Sequence, residues 1–114
     1  MNHLRRYCLL LDLVDNEQLI KEYEAYHVAV WPEISESIKS SGITNMEIYR
    51  LGNRLSMVME VDDTFSFEKK SLMDATNPFV QQWEELMWKF QQPLPTAKEG
   101  EKWMLMQKIF DLNK

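Results

Sequence analysis

The pair Gly52-Asn53 sits between two stretches, Ile43 to Leu51 and Arg54 to Val61, each of which reads as a strand. A two-residue connection that leads with glycine is a strong hairpin signal, because its first turn position needs a positive φ that glycine adopts without steric cost. The chain is therefore expected to carry an antiparallel pair near its centre, with Leu55, Met57, Met59 and Val61 on one face of the second strand. The remaining segments must pair beside that hairpin or pack against it.

From Arg6 to Val14, Tyr7, Leu9, Leu11 and Leu13 alternate with Arg6, Cys8, Leu10 and Asp12. This predicts a strand whose second face is apolar enough to be partly covered as well. Asp15, with Gln18 three residues on, has the pattern of a capping box. Leu19, Tyr23, His27, Val30, Ile34 and Ile38 then follow at helical spacing as far as Gly42, which closes the segment. A second helical stretch begins near Ser66 and is interrupted at Asn77-Pro78. It continues with Phe79, Trp83, Met87 (or Leu86) and Phe90 on one stripe and ends at Pro93 and Pro95. The run Trp103 to Phe110 predicts a final strand.

The order βαββαβ predicts an α+β, ferredoxin-like fold: a four-stranded antiparallel sheet with two helices on one face. Methionine and aromatic residues occur on both phases of the expected strands, so a second copy packed sheet against sheet is the simplest cover for the helix-free face. A length of 114 residues fits one domain over 1–114, and eight Met and four Trp are many for so small a core. The formal charge of −5 disfavours a duplex nucleic acid or an anionic membrane as partner. The apolar stretch Leu9 to Val14 is short and carries Asp12, so no export signal or membrane span is expected, and the lone Cys8 cannot form an internal disulfide. A cytoplasmic protein is the resulting expectation.

The most informative segment is Tyr23 to Glu33. Tyr23, His27 and Trp31 are spaced by four, which stacks them on one helical face, and Pro32 disfavours α conformation at Trp31. A break there lifts the chain off the sheet and leaves room beneath His27. One reading makes His27 a core residue with satisfied hydrogen bonds. The other makes Tyr23 and His27 an acid-base pair serving a small substrate, since a buried imidazole, phenol and indole in one stripe all need polar partners.

Weaker candidates are set aside on chemical grounds. Glu84-Glu85 fits a solvated helix face, and His3 and His27 lie in different elements, which gives a metal site no support. With three Gly in the chain there is no phosphate loop, and Cys8 reads as a small buried hydrophobe.

The stretch Glu22-Tyr23 through His27 to Trp31-Pro32-Glu33, then Gly42 through Asn45 to Ile48-Tyr49, together with Gln82-Trp83, resembles the L-rhamnose mutarotase family. The resemblance implies a dimeric α–β barrel of ferredoxin-like subunits that needs no cofactor. It also implies interconversion of the α and β pyranose anomers of a 6-deoxy sugar. In it the histidine matching His27 donates a proton and the tyrosine matching Tyr23 binds sugar. The chain departs from the family pattern at Glu84, which follows Trp83 where a second tryptophan is usual, and at Met46, which replaces a sugar-binding tyrosine. Tyr49 matches another family tyrosine but has the opposite strand phase from Met46. A branch associated with L-fucose is also similar, so both sugars stay open.

Mutarotation asks for a proton on the ring oxygen while the anomeric hydroxyl loses one, then rotation of C1 and closure. Each well-placed acid or base contributes roughly 10²- to 10⁴-fold. Imidazole, with an ordinary pKa of about 6.5, suits the donor, whereas a phenol near 10 is a poor base and suits binding and orientation. Trp31 and Trp83 offer flat apolar faces to the sugar, and Glu84, if it points inward, accepts from a hydroxyl. The competing readings are a cofactor-free oxygenase on a similar dimeric barrel and a non-catalytic dimer that binds a sugar or metabolite.

Overall fold

The computed structural model describes residues 5–113. Its core is a sheet in which β1 (Arg5–Leu13) runs centrally, antiparallel to β3 (Arg54–Val61), with Leu9 opposite Met57 and Leu11 opposite Leu55. β2 (Ile43–Leu51) joins β3 through the expected hairpin, where Gly52 takes φ +59°. The strand order is β2-β3-β1-β4, with a further strand beside β1. That is the ferredoxin-like order, so the α+β class expected from the alternation is observed.

The helical run after β1 is broken where Pro32 requires it. α1 (Glu17–Val28) stops, and α2 (Pro32–Ser40) restarts with Pro32 in its first turn and Trp31 extended at φ −53°, ψ 135°. The cap of α1 is Asn16, not Asp15: its side chain accepts from the Leu19 amide at 3.0 Å. The cap falls one residue later because Val14 still donates to the Phe90 carbonyl at 2.8 Å and so belongs to the end of the sheet. α3 (Phe67–Thr76) and α4 (Pro78–Met87) are likewise separated at Asn77, whose side chain caps α4 by accepting from Phe79 and Val80. The buried stripe of α4 is Val80, Trp83 and Met87, followed by Phe90. Phe79 lies one position round the helix and is exposed, which corrects the expected stripe.

The expected last strand is the largest departure. β4 (Gln91–Gln92) and β5 (Met104–Leu105) both pair with β1, at Leu13–Asp12 and at Leu9–Leu10 respectively. The fourth position of the sheet is thus filled by two short pieces separated by a loop. After the Met106 amide donates to the Cys8 carbonyl, residues 107 to 110 are not in a strand. Ile109, Phe110 and Leu112 are 91%, 75% and 81% exposed. An alternating pattern makes a strand only where a neighbour supplies ladder hydrogen bonds and cover.

The core lies between the helices and one face of the sheet. Leu13 and Leu55 from the strands meet Tyr23, Ile34, Val80, Trp83 and Met87 from α1, α2 and α4, and Leu9, Ile43, Met59, Val61 and Phe65 form a second cluster beside it. The register puts Met46, Met57 and Met59 all on this helix-covered face. Met104, paired with Leu10, and Met106, whose sulfur lies 3.5 Å from Cys8 Sγ, fall on the helix-free face, so methionine occupies both phases. The opposite face carries Cys8, Leu10, Tyr49, Leu51 and Val58 among charged side chains, with Arg6–Glu60 and Arg54–Asp12 ion pairs running across it.

Gly42 joins α2 to β2 at φ +101°. A Cβ there would lie 2.9 Å from the Phe65 amide nitrogen and closer still to Thr64 and Asp62 side-chain oxygens, so backbone and space both demand glycine.

Candidate active site

The last turn of α1 carries His27, and the break after it decides what the ring meets. Its centroid lies 4.4 Å from that of Tyr23 and 5.7 Å from that of Trp83, and Trp83 in turn lies 5.1 Å from Trp31. The order in space is Tyr23, His27, Trp83, Trp31. Because the helix ends before Trp31, the α4 indole inserts where an unbroken helix would have stacked Trp31 directly on His27.

Hydrogen bonds orient the pair. Nδ1 of His27 lies 2.8 Å from the Tyr23 carbonyl oxygen one turn back, so the ring donates there and Nε2 becomes its chemically available nitrogen. Among the described residues Nε2 has no hydrogen-bond partner. The Tyr23 hydroxyl accepts from Gln91 Nε2 at 3.3 Å in the buried layer under β4. Burial holds the Tyr23 phenol above its ordinary pKa; the Gln91 hydrogen bond opposes that shift, and the negative charge of Glu84 adds to it. Tyr23 is consequently a neutral hydroxyl at neutral pH, suited to hydrogen bonding and not to proton abstraction.

A cleft of about 220 Å³ opens between α1 and the sheet at this point. Tyr23, Glu24 and His27 supply polar groups from α1, and Arg50 supplies another from β2. Val28, Ile48 and Leu55 form its apolar wall. Apolar lining with a few convergent polar groups is the usual composition of a small-molecule site.

The other residues singled out from the sequence are divided between this place and others. Trp83 is buried and backs His27, and Trp31 backs Trp83, so both belong to the cluster. Glu84 is half-exposed on α4 and is ion-paired with Lys102, whose ammonium also lies 4.7 Å from the Trp88 ring centroid. Met46 shares the helix-covered face of β2 with Ile48 but packs into the second core cluster, outside the cleft lining. Tyr49 points to the opposite face, where its hydroxyl donates to Glu47 at 3.0 Å. His3 lies outside the described residues. Among the described residues, no three His, Cys, Asp or Glu side chains converge as metal ligands, and no helix is long and apolar enough to cross a membrane.

Three site features were not found from the sequence. Arg50 shares the strand phase of Met46 and Ile48, and a charge on a buried phase is a signal that was available. Glu24, its partner at 2.9 Å, stands beside Tyr23 in the chain. Gln91 carried no signal, since its burial depends on β4 pairing with β1.

Residues 6–112 match the family model described as L-rhamnose mutarotase. An L-fucose mutarotase of Xanthomonas campestris pv. campestris is 43% identical over 112 residues, covering 96% of this chain and 90% of that protein. Among solved structures, an L-rhamnose mutarotase of Formosa agariphila superposes with a TM-score of 0.70 at 20% identity, covering 95% of this chain and 98% of the other. Tetracenomycin F2 cyclase of Streptomyces glaucescens superposes with a TM-score of 0.67 at 14% identity, covering 94% and 95%. At these identities the two structures speak for the fold alone.

Proposed function

The chain belongs to the L-rhamnose mutarotase family, and from that premise we propose that it is a 6-deoxy-L-hexose mutarotase, an isomerase that interconverts the α and β pyranose anomers of L-fucose or L-rhamnose. The observation that carries this reading is the arrangement of His27: Nδ1 engaged by the Tyr23 carbonyl, Nε2 left without a protein partner, and a sugar-sized cleft lined by the same residue. Protonated His27 gives its Nε2 proton to the ring oxygen while the anomeric hydroxyl releases its proton to water at the open mouth. The C1–O5 bond breaks to leave the aldehyde, C1 turns about its bond to C2, and closure on the other face returns both protons. The neutral Tyr23 hydroxyl binds and orients the sugar. Trp83 packs behind His27 and Trp31 behind Trp83, which steadies the imidazole, and the negative charge of Glu84 acts on Tyr23. The scheme needs no cofactor.

The active form in this reading is a cytoplasmic homodimer that closes an α–β barrel. The run of exposed apolar side chains at Leu105, Met106, Ile109, Phe110 and Leu112 supports it, because so many close together in one stretch of chain suit an association surface. The decisive test is exchange NMR on L-fucose and L-rhamnose. Anomer exchange faster than in buffer supports the assignment, and exchange at the buffer rate for both sugars refutes it.

A further inference from the structure

The ion pair between Glu24 and Arg50 has no role in proton transfer as derived above, yet both residues line the His27 cleft. Arg50 Nε donates to Glu24 Oε2 at 2.9 Å, and Nη1 donates to the Gly52 carbonyl at 2.8 Å. A guanidinium has five N–H donors, so three remain after these bonds. A carboxylate has about four acceptor sites, and one is used by Arg50. The pair therefore offers adjacent, unused donors and acceptors.

Stability does not account for it. The side chains are 36% and 51% exposed, and pairs so open to water contribute little to folding. Arg50 also occupies the strand phase on which Met46 and Ile48 pack inward, where an apolar residue would bury more surface. The same two residues line a second depression on the far side, so the pair stands as the wall that ends the His27 cleft.

Chemistry identifies what such a wall takes. Each sugar hydroxyl both donates and accepts, and two neighbouring hydroxyls match one carboxylate beside one guanidinium. Glu24 lies three residues before His27 on α1, which puts their Cβ atoms about 5–6 Å apart on neighbouring parts of the helix surface. Nδ1 of His27 and the Tyr23 hydroxyl oxygen are already engaged within the protein, so beyond Nε2, which serves the reacting end, the cleft's unused charged hydrogen-bonding capacity lies with this pair. Val28, Ile48 and Leu55 leave the other wall for C–H surface.

We propose that Glu24 and Arg50 form the diol-binding element of the cleft, gripping two adjacent ring hydroxyls of the substrate and thereby presenting its anomeric end to His27. This rests on the mutarotase reading and adds to it the residues that hold the sugar.

The test uses Arg50→Met, Glu24→Gln and the double variant in exchange NMR across a range of L-fucose concentrations. Each single change is expected to raise KM at least about tenfold while kcat stays within about threefold. The double variant should be little worse than the weaker single, because the two residues act as one unit. Melting temperatures should stay within about 4 °C of the parent, since an exposed ion pair contributes little. KM within twofold of the parent, or a loss confined to kcat, overturns the proposal. If Arg50→Met does not fold, Arg50→Lys keeps the charge and loses the fork, and an unchanged KM there overturns it equally. If the parent protein shows no anomer exchange, the mutarotase reading fails by itself. Saturation-transfer binding of L-fucose then decides the diol element: signal in the parent that is lost in the variants supports it, and no parent binding or equal binding refutes it.

Discussion

His27 is held by the backbone of the residue on whose ring it packs: its Nδ1 lies 2.8 Å from the Tyr23 carbonyl oxygen, and the two ring centroids are 4.4 Å apart. One helical turn therefore fixes the direction of the imidazole and leaves Nε2 without a hydrogen-bond partner among the described residues. His27→Asn is expected to keep the fold, since asparagine retains a polar side chain of similar reach, while anomer exchange falls by at least about 10²-fold. Exchange NMR and a melting curve on one preparation check both halves. A folded variant that exchanges anomers at the parent rate would remove His27 from the mechanism.

Tyr23→Phe keeps the ring packing but strips Gln91 Nε2 of its partner, next to a Gln91 Oε1 that already has none. The expected cost is about 1–3 kcal/mol of stability, with a smaller loss of exchange than for His27→Asn and a rise in KM. The pH dependence has a definite sign. Burial raises the folded pKa of Tyr23 above 10.0, so the native state keeps the proton where the unfolded chain has lost it. The associated stability is full below pH 10 and shrinks as pH rises towards the folded value. Urea unfolding of parent and variant at pH 8 and pH 11 should show their difference narrowing at the higher pH; a difference that widens contradicts it.

At Gly42 the expected effect is on folding alone. Gly42→Ala combines a left-handed backbone at φ +101° with a Cβ 2.9 Å from the Phe65 amide nitrogen. We expect a loss of at least about 2 kcal/mol. Gly52→Ala, where nothing lies within 4 Å, should cost less. Denaturation midpoints that rank the two the other way would show that the junction at Gly42 relaxes easily.

Sedimentation at about 10 μM should give twice the chain mass of 13.7 kDa. Ile109→Asp and Phe110→Asp, which put charge into the exposed apolar segment, should return it to single chains. A parent protein that sediments as a monomer at that concentration excludes the dimer.

Local chemistry was legible wherever it was decided locally. The pairing of β2 with β3 next to Gly52 follows from a two-residue turn, although the register shifts between Ile43 and Asn45 at the far end, and the break before Pro32 follows from a ring that the preceding residue must accommodate. Asn16 displaced Asp15 as the cap because Val14 was still bonded to Phe90, a partner far away in sequence. The same limit explains the fourth strand. Gln91 and Leu105 reach β1 only through tertiary pairing, and the apolar alternation from Trp103 onward carries no record of where the partner ends. In the site, Tyr23 and His27 were readable from helical spacing. The Glu24–Arg50 contact joins a helix to a strand, and only the inward phase of Arg50 hinted at it.

The division of the sheet's fourth position has a consequence for synthesis. β1 is made first, and its partner β3 arrives with the hairpin, so that half of the sheet can assemble while the chain is still growing. The other edge of β1 must wait, since on that edge Leu13 is matched by Gln91 and Leu9 by Leu105. Until then a strand rich in leucine keeps a row of unpaired amides and carbonyls open to other chains, and the nascent chain is most prone to stick to its neighbours in the interval just before Leu105 emerges.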